Sequence, residues 1–530
     1  MNWNVKDPEG GTAEAGKMEA MEGVAAEAGG GKMEAMEGVA AEAGGGRAAY
    51  FIGIDIGTQG ARVVLMDAAG NLAGSEERAC LLSDRSREEQ SPVEWWEGCL
   101  SLLRALVVSV AGSIDRAAIR AIAVTSTSGT VIPLDRDYRP LHDAIMYSDQ
   151  RSAEEGRFCR EMALRCHPDG YTGFNSSSGL SKMVWYQRKF PAKAQAICAW
   201  VHAADYITGM LSGRWHVTDY TNALKSGYDL RGLQWPSWLF EGLGLQRYWL
   251  PEVVAPGTPV GRLLPALALE LGLGTDVRVV AGMTDGCASQ IASGAVAVGD
   301  WNTTIGTTMV IKGVTERQVR DPDDALYCHR HPEGFWMPGG ASNTGADWVS
   351  KEFHEDLDAL NEGAASLIPT GLIAWPLCQH GERFPFVAPQ ARGFSAPGLS
   401  PVQRFAANME GVACLERYAY ELIGRWSGSA VKAVYTAGGA SNSDTWLTIR
   451  SNVLGMPLYK MRYVSAAAGA AILAASGTHF GSLTAAARTM TQVEKRVSPS
   501  AALSDRYDGQ YRQFLATLRQ KGYIREGAYA

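Results

Sequence analysis

The sequence predicts an α/β protein built as two lobes around a cleft. A strand, a Gly-Thr turn and a second strand occur twice, and each copy opens a long stretch of alternating strands and helices. The turns lie at Gly57-Thr58 and at Gly306-Thr307. A glycine there lets backbone N–H groups approach an anion, and the threonine adds a hydroxyl donor. Two such turns predict two lobes that hold one phosphate chain, as in a nucleotide-dependent phosphotransferase.

The composition is that of a globular protein. The chain has 530 residues, 46% hydrophobic and 20% charged, which suits two or three domains. Its nine cysteines are dispersed without a Cys-x-x-Cys pair, which indicates free thiols in a reducing compartment. We find neither an apolar run long enough for a membrane span nor the apolar core of a secretory signal. A cytoplasmic location is expected.

The charge gives no reason to expect a polyanionic partner. The formal net charge is −7, of which residues 1–47 carry −5, so that the remainder is close to neutral. Neither nucleic acid nor an anionic membrane is expected to bind. The expected partners are therefore small molecules, and the expected assembly is a monomer or a homodimer.

The first 47 residues differ from the rest of the chain. The fifteen residues KMEAMEGVAAEAGGG at 17–31 recur unchanged at 32–46. A segment of Ala, Glu and Gly cannot bury enough apolar surface to offset the entropy of ordering. We interpret residues 1–47 as a disordered tail, and an artefact of cloning or of the gene start is an alternative origin.

From residue 48 the pattern predicts a first lobe, residues 48–293. Apolar alternation and turn residues predict strands at 50–56, 61–67, 72–78, 119–124 and 130–134, a helix through 93–110, and a mostly helical region at 150–270. A buried strand at 277–280 then leads into a helix from Cys287.

The second lobe is predicted to span residues 294–487. After the second hairpin come helices at 405–426, 444–453 and 466–475 and a strand at 433–436. Residues 488–530 are polar and predict a helical closing segment.

Five motifs in order resemble the FGGY family of carbohydrate kinases, whose fold is that of the actin-like ATPases. They are DIGT at 55–58, MTDG at 283–286, IGTT at 305–308, GER with ARG at 381–383 and 391–393, and AGG with NVLG at 437–439 and 452–455. The resemblance covers roughly residues 50–500. It implies two actin-like ATPase (ribonuclease H-like) domains, the first for sugar and the second for nucleotide, with ATP and Mg²⁺ bound in the cleft.

Asp285 is the candidate catalytic residue. Between a buried strand and a helix, its carboxylate suits either a general base for the attacking sugar hydroxyl or a helix N-cap. Position alone leaves these two roles open, and the resemblance favours the base. Asp55 ends an apolar strand, where it would hold Mg²⁺ through water and lie next to the substrate; an Asx-turn is the alternative.

The resemblance assigns the remaining site residues to phosphate, nucleoside or sugar. The expected nucleotide contacts are Gly57, Thr58, Gln59, Gly306, Thr307, Gly438, Gly439 and Asn442. Hydroxyl partners of the sugar are expected to be Thr127, Ser128 and Asp149. For each glycine the alternative is a plain tight turn.

The sugar side departs from the family's xylulokinases. Where these have a Met-His pair, this chain has Ser128-Gly129, and Tyr147 stands in place of a tryptophan before Asp149. The stretch at 218–229 is similar to a plant and cyanobacterial xylulokinase-like subgroup, whose implied substrate is D-ribulose. Loss of an imidazole removes a group that could discriminate one hydroxyl configuration. We therefore expect D-ribulose to be phosphorylated to D-ribulose 5-phosphate.

Three alternatives stay open at this point. The acceptor could be D-xylulose or another polyol. The chain could instead be a nucleotide-driven switch of the actin or chaperone kind, without transfer to sugar. It could also be a weak kinase with a high background ATPase activity, since the small Ser128-Gly129 site would order a substrate poorly.

Overall fold

The computed structural model of the chain describes residues 48–79, 84–321, 325–354 and 356–525. The predicted disordered tail of residues 1–47 lies outside the described residues, and so does the end of the predicted closing segment, residues 526–530.

The elements of the described residues alternate as the sequence pattern predicts. The strands are β1 (Tyr50–Gly57), β2 (Gly60–Asp67), β3 (Leu72–Ala79), β4 (Glu89–Gln90), β5 (Ile119–Ser126), β6 (Val131–Leu134), β7 (Ala144–Ile145), β8 (Ala199–His202), β9 (Val217–Asp219), β10 (Glu252–Val254), β11 (Pro259–Arg262), β12 (Arg278–Thr284), β13 (Asp300–Ile305), β14 (Met309–Gly313), β15 (Leu326–Arg330), β16 (Trp336–Ser342), β17 (Ala433–Ala437), β18 (Leu458–Met461) and β19 (Val493–Val497). The helices are α1 (Asp84–Glu88), α2 (Pro92–Ser109), α3 (Ala153–Cys166), α4 (Gly179–Lys189), α5 (Pro191–Ala194), α6 (Ala203–Ser212), α7 (Tyr220–Ala223), α8 (Trp238–Glu241), α9 (Pro265–Leu271), α10 (Asp285–Ala292), α11 (Asp347–Glu352), α12 (Leu357–Ala365), α13 (Pro401–Ser427), α14 (Asp444–Leu454), α15 (Ala466–Ala475), α16 (Leu483–Met490) and α17 (Ala501–Gln520). Short 3-10 turns occur at Arg116–Ala118, Leu224–Ser226, Arg247–Trp249 and Gly439–Asn442.

A six-stranded sheet forms the centre of the first lobe. Its strand order is β11-β12-β5-β1-β2-β3. The hairpin strands β1 and β2 are antiparallel, whereas β1, β5 and β12 run parallel to one another. The carboxyl ends of these three parallel strands therefore meet along one edge, which is where ligands bind in open α/β sheets.

The second lobe repeats this arrangement in a seven-stranded sheet. Its order is β15-β16-β14-β13-β17-β18-β19. The hairpin strands β13 and β14 are again antiparallel, and β13, β17 and β18 run parallel. The hairpin thus lies beside the parallel strands in both sheets, so that both Gly-Thr turns lie at carboxyl edges.

Capping residues fix the ends of the long helices that cover the sheets. Helix α2 begins at Ser91, whose hydroxyl accepts a hydrogen bond from the Glu94 amide, with Pro92 at its first position. Helix α13 begins with a reciprocal capping box between Ser400 and Gln403 and ends at Gly428 in the left-handed conformation. Helix α2 buries one face against the core of the first lobe, whereas α13 is buried on nearly all sides over residues 405–416.

Helix α15 lies in sequence between β18 and β19 of the second sheet but packs against the first sheet. A Cβ on Gly53 of β1 would lie 1.9 Å from the Ala467 carbonyl oxygen, and one on Gly469 would lie 1.9 Å from that of Ala288 in α10. Such close backbone approach is available only to glycine. The helix therefore joins the two lobes, although its residues fall within the predicted second lobe of 294–487.

The region at 150–270 and the closing segment contain strands as well as helices. Strand β8 belongs to a small sheet of order β4-β7-β6-β8, and β9 pairs with β10. In the closing segment, β19 pairs antiparallel with β18 before helix α17 begins. These strands have two to five residues, too few for their periodicity to be distinguished from a helix.

Within the described ranges, no helix combines the length and the apolar character needed to cross a membrane.

Candidate active site

The predicted sugar-side residues lie at the carboxyl edge of the first sheet. In the strand register, Asp55 of β1 and Met283 of β12 both lie opposite Thr125 of β5. Ser128 follows the end of β5, and Asp285 follows the end of β12. The fold therefore brings Asp55, Ser128 and Asp285 together from three distant parts of the chain.

Asp285 is the first residue of helix α10. Its Oδ1 accepts a hydrogen bond of 2.6 Å from the Gly286 amide. Burial raises the pKa of Asp285 above its usual value, and the Gly286 amide and the charges of Lys312 and Lys225 lower it in part. Its carboxylate thus meets a helix N–H and also lies close to charged groups of both lobes.

Asp55 has a carboxylate oxygen that is left unpaired. Its Oδ1 is buried and has no hydrogen-bond partner in the described part of the chain. Burial first, and the charge of Asp285 second, raise the pKa of Asp55 to about 7, while Arg62 lowers it. A buried acid with a free oxygen needs a partner, and a cation would supply one.

The residues around Asp55 fit a magnesium ion rather than an all-protein metal cage. No cluster of three or more His, Cys, Asp or Glu side chains suited to a metal occurs in the described residues. Mg²⁺ is usually held by one or two carboxylates together with substrate phosphates and water. Asp55 with Asp285 nearby matches that donor set.

The other predicted sugar contacts differ in whether their side chains are already hydrogen-bonded within the protein. The Ser128 hydroxyl is buried and unpaired among the described residues, whereas the Thr127 hydroxyl lies 2.9 Å from that of Thr130. The Asp149 carboxylate is bound by the Arg151 guanidinium, with Arg151 Nη2 at 2.7 Å from Asp149 Oδ2. Arg151 also pairs with Glu89 at 2.6 Å. Ser128 is therefore free to bind a ligand, and Asp149 is already engaged.

The first glycine turn is open on one side. Gly57 pairs with Gly60, and Thr58 and Gln59 form the two-residue turn between them. A Cβ on Gly57 would have only the Gly60 carbonyl oxygen near it, at 3.7 Å. The Gln90 side chain donates to the Thr58 carbonyl at 3.2 Å and so supports the turn from the first lobe.

The second glycine turn is open in the same way. Nothing described lies within 4 Å of a Cβ built on Gly306, whose amide donates to the Thr308 carbonyl at 3.1 Å. The Ala346 amide donates to the Gly306 carbonyl at 2.7 Å. Thr307 packs its carbonyl against Gly345, where a Cβ would come within 2.4 Å.

Glu382 of the GER motif anchors the loop behind this turn. Its carboxylate accepts hydrogen bonds from the hydroxyls of Ser342 and Thr344, both at 2.8 Å, and from the Asn343 amide at 2.7 Å. Loop 342–345 in turn packs against Thr307. The motif thus acts on the second turn indirectly, which sequence reasoning did not identify.

The predicted nucleoside residues lie on the same edge as the second turn. Gly438 follows β17 with φ +86°, and a Cβ there would come within 2.4 Å of the Ile305 carbonyl at the end of β13. Gly439 has open space in place of a side chain, and Asn442 is exposed at the end of the 3-10 turn. The fold therefore brings Gly306, Gly438 and Gly439 together.

Three charged or polar residues near Asp285 were missed by sequence reasoning. They are Lys312, His329 and Lys225. Lys312 Nζ lies 3.6 Å from Cys287 Sγ. Burial, together with the charges of Lys312 and Lys225, holds the pKa of His329 well below its usual value. Lys225 interacts electrostatically with Asp285. Lys312 could have been noticed in the sequence, because it is a charged residue in an otherwise apolar strand.

Comparisons with known proteins agree with this geometry. The N-terminal domain of the FGGY family of carbohydrate kinases matches residues 50–292, and its C-terminal domain matches residues 301–478. The chain is 27% identical to a xylulose kinase of Bacillus subtilis, over 81% of this chain and 88% of that protein. It is 27% identical to a glycerol kinase of Thermus brockianus, over 90% of this chain and all of the relative.

Solved structures share the fold. A xylulose kinase from Brucella ovis superposes with a TM-score of 0.80 at 23% identity, over 89% of this chain and 99% of that one. A glycerol kinase from Plasmodium falciparum, solved with ADP, gives a TM-score of 0.75 at 17% identity, over 89% and 98% of the two chains. The two-lobed actin-like fold is thereby confirmed. The chain belongs to the FGGY family of carbohydrate kinases and is an ATP-dependent sugar kinase.

Proposed function

We propose that this kinase phosphorylates a free ketopentose, D-ribulose, at its terminal C5 hydroxyl, with Asp285 as the general base. The observation that carries the proposal is the partly buried Asp285 carboxylate at the start of α10, on the edge that also holds the unpaired oxygens of Asp55 and Ser128. Candidates for a base, a cation ligand and a hydroxyl partner are thus available on one edge, which supports the proposal.

The nucleotide would bind mainly to the second lobe. Gly306 and Thr307 would approach its phosphates from one side and Thr58 and Gln59 from the other, while Gly57 keeps the first turn open. Gly438, Gly439 and Asn442 would contact the nucleoside. The open space above Gly306 and Gly439 supports this assignment, because a phosphate or a ribose can then reach the backbone.

Phosphoryl transfer requires mainly positioning and charge neutralisation, since its transition state is loose. Asp285 accepts the proton of the sugar hydroxyl as the oxygen attacks the terminal phosphorus. Asp55 would hold Mg²⁺, which neutralises phosphate charge when bound. Ser128 would orient the sugar by hydrogen bonding.

Movement of the lobes would exclude water from the reaction. The chain passes between them after α10, where Gly294 adopts φ +85°, a conformation that favours glycine. Closure at residues 290–295 would suppress hydrolysis of ATP in the absence of sugar. The same movement would bring the two glycine turns to the phosphates.

D-xylulose is the second candidate acceptor. The names of several relatives favour it, because xylulose kinases from three genera match most of this chain. The Ser128-Gly129 pair favours D-ribulose, because it lacks the imidazole that the family's xylulokinases place at the sugar.

A panel of acceptors tests the proposal. ADP release would be measured with D-ribulose, D-xylulose, L-ribulose, gluconate and glycerol, each against a control without sugar. We expect D-ribulose to give the largest kcat/KM, and product analysis to show phosphate on C5. A larger kcat/KM for another sugar would replace the acceptor, and ADP release without any sugar dependence would overturn the assignment as a whole.

A further inference from the structure

Lys312 brings a buried ammonium group from the second lobe to Asp285 in the first. Its Nζ lies 3.1 Å from the position of a Cβ on Gly286, the residue after Asp285, and 3.6 Å from Cys287 Sγ. The side chain is only 7% exposed. In the described ranges it forms no ion pair with a carboxylate, so its single hydrogen-bond partner is a weak acceptor.

Lys225 brings a second ammonium group to the same place from the first lobe. Its Cδ lies 3.5 Å from the position of a Cβ on Gly129, next to Ser128. Burial, with the charge of Lys312, lowers the pKa of Lys225, and Asp285 raises it. No hydrogen bond or ion pair of its ammonium group is formed with the residues that the structure describes.

Further polar atoms around these lysines lack partners. Both ring nitrogens of His329 are buried and unpaired within the described residues, and so is the Ser128 hydroxyl. The His329 ring meets that of Tyr327 edge-on at 5.4 Å, and Lys312 Nζ lies 5.5 Å from the Tyr327 centroid. Buried polar groups are nearly always hydrogen-bonded, so this group of residues requires a ligand rich in hydrogen-bonding oxygens.

The charges of the pocket favour a neutral ligand. Asp55 and Asp285 supply two carboxyl groups, and Lys225 and Lys312 supply two ammonium groups that interact with Asp285. With all four groups ionised, their charges cancel among themselves, and a substrate carboxylate would then add an unbalanced charge.

An ammonium group donates hydrogen bonds and accepts none. A ketone oxygen only accepts, so it suits two ammonium groups better than a hydroxyl, which must also place its own proton. We propose that Lys312 and Lys225 hold the ketone oxygen of the acceptor sugar and thereby select a ketose over the corresponding polyol. The inference rests on the proposed function, in which the terminal hydroxyl of the same sugar meets Asp285.

A structural role for Lys312 is the competing explanation. A buried ammonium without a carboxylate partner costs folding free energy, and a methionine of similar length would fill the same space. A structural lysine would therefore affect every acceptor equally when replaced. A lysine that binds the ketone would, when replaced, also reduce the preference for the acceptor that has one.

The test compares D-ribulose with ribitol, which carries a hydroxyl in place of the ketone, in the variants Lys312→Met and Lys225→Met. We expect the wild type to prefer D-ribulose by at least about 10-fold in kcat/KM, the effect of a hydrogen bond to a charged group. Lys312→Met should reduce this preference to about 3-fold or less by raising the KM of D-ribulose, whereas its effect through the pKa of Asp285 should lower kcat for both acceptors alike.

The matched control is Lys460→Met, which removes a lysine of β18 that pairs with Glu494. This variant should keep the wild-type preference. Thermal unfolding of each variant shows whether it is folded, and the more accessible Lys225 provides a second variant if Lys312→Met does not fold. D-ribonate, which carries a carboxylate, tests whether the lysines bind an acidic acceptor instead.

An equal loss for D-ribulose and ribitol in both lysine variants would overturn the inference. A wild-type preference for D-ribonate would overturn it as well, since the lysines would then bind a carboxylate. If D-xylulose proves to be the acceptor, the proposed substrate is wrong, but the inference about the lysines is not. D-xylulose and xylitol then replace D-ribulose and ribitol in the comparison. If no sugar is phosphorylated, calorimetric binding of ketose and polyol gives the same comparison.

Discussion

Among single residues, the proposed catalysis depends on the carboxyl groups of Asp55 on β1 and Asp285 after β12, which lie on either side of β5. Burial raises the pKa of both, to about 7 for Asp55, and the charge of Asp285 contributes to the shift of Asp55. The negative charge of Asp285 thus disfavours the ionised form of Asp55. The protonated form of either one is unsuited to its proposed role.

The raised pKa of Asp55 predicts how activity depends on pH. As the pH falls through about 7, Asp55 takes up a proton and loses its affinity for a cation, so kcat/KM should decrease. A higher Mg²⁺ concentration should shift the decrease to lower pH, because the metal competes with the proton. A pH profile recorded at two Mg²⁺ concentrations measures both effects. A constant kcat/KM from about pH 5.5 to 8 would contradict the role of Asp55.

The residues of the site differ in how far they could be predicted from the sequence. Asp55 and Asp285 were predictable because each follows an apolar strand within a recognisable motif. The engagement of Asp149 by Arg151 was not predictable, although the two are only two positions apart, because a carboxylate can bind a neighbour or a ligand. Lys312 became notable only when two lobes met around it.

At the scale of elements, the close contact of α15 with β1 and α10 joins the lobes. We expect Gly469→Ala to destabilise the protein by about 1–3 kcal/mol, since its Cβ would lie 1.9 Å from the Ala288 carbonyl oxygen. Urea unfolding measures the change. Gly509→Ala in α17 is the control, because nothing described lies within 4 Å of its Cβ and alanine favours a helix. Equal stability of the two variants would contradict this view of α15.

The loop anchored by Glu382 supports the second glycine turn. Glu382→Ala would leave the hydroxyls of Ser342 and Thr344 and the Asn343 amide without their acceptor. We expect the variant to lose about 1–3 kcal/mol of stability. Its KM for ATP should rise more than its KM for sugar. Steady-state kinetics with each substrate varied in turn would show this. An unchanged KM for ATP would mean that the loop does not position Thr307.

The two hairpins were predictable as elements and the short strands were not. Alternation over six to eight residues, with a glycine at the turn, specifies β1, β2 and β13. Strands such as β7, with two residues, carry no measurable periodicity. The edge position of β19 depends on pairing with β18, which the polar sequence at 493–497 does not indicate.

Over the whole molecule, two sheets of like topology each carry a glycine hairpin beside their parallel strands. The strand order around each hairpin is the same in both lobes. Within each lobe, motifs that lie far apart along the chain therefore lie close together: Asp55 with Asp285, and Gly438 with the end of β13. Their order in the sequence predicted this arrangement only through the family resemblance.

The catalytic unit is expected to function without the duplicated tail. Residues 1–46 consist largely of Ala, Glu and Gly, and both family domains begin after them. Deleting residues 1–46 should leave kcat, KM and the thermal midpoint unchanged, with each kinetic constant within about 2-fold. A loss of activity on deletion would show that the tail contributes to the kinase.

The substitution Asp285→Asn tests whether Asp285 is the general base. Asparagine keeps the shape of the side chain but cannot take a proton from the sugar, so transfer to D-ribulose should fall by about 1,000-fold or more. Binding of ATP, measured by calorimetry, should change no more than about 3-fold, because the nucleotide contacts lie elsewhere. Sugar phosphorylation at a wild-type rate in this variant would show that Asp285 is not the base and would contradict the account.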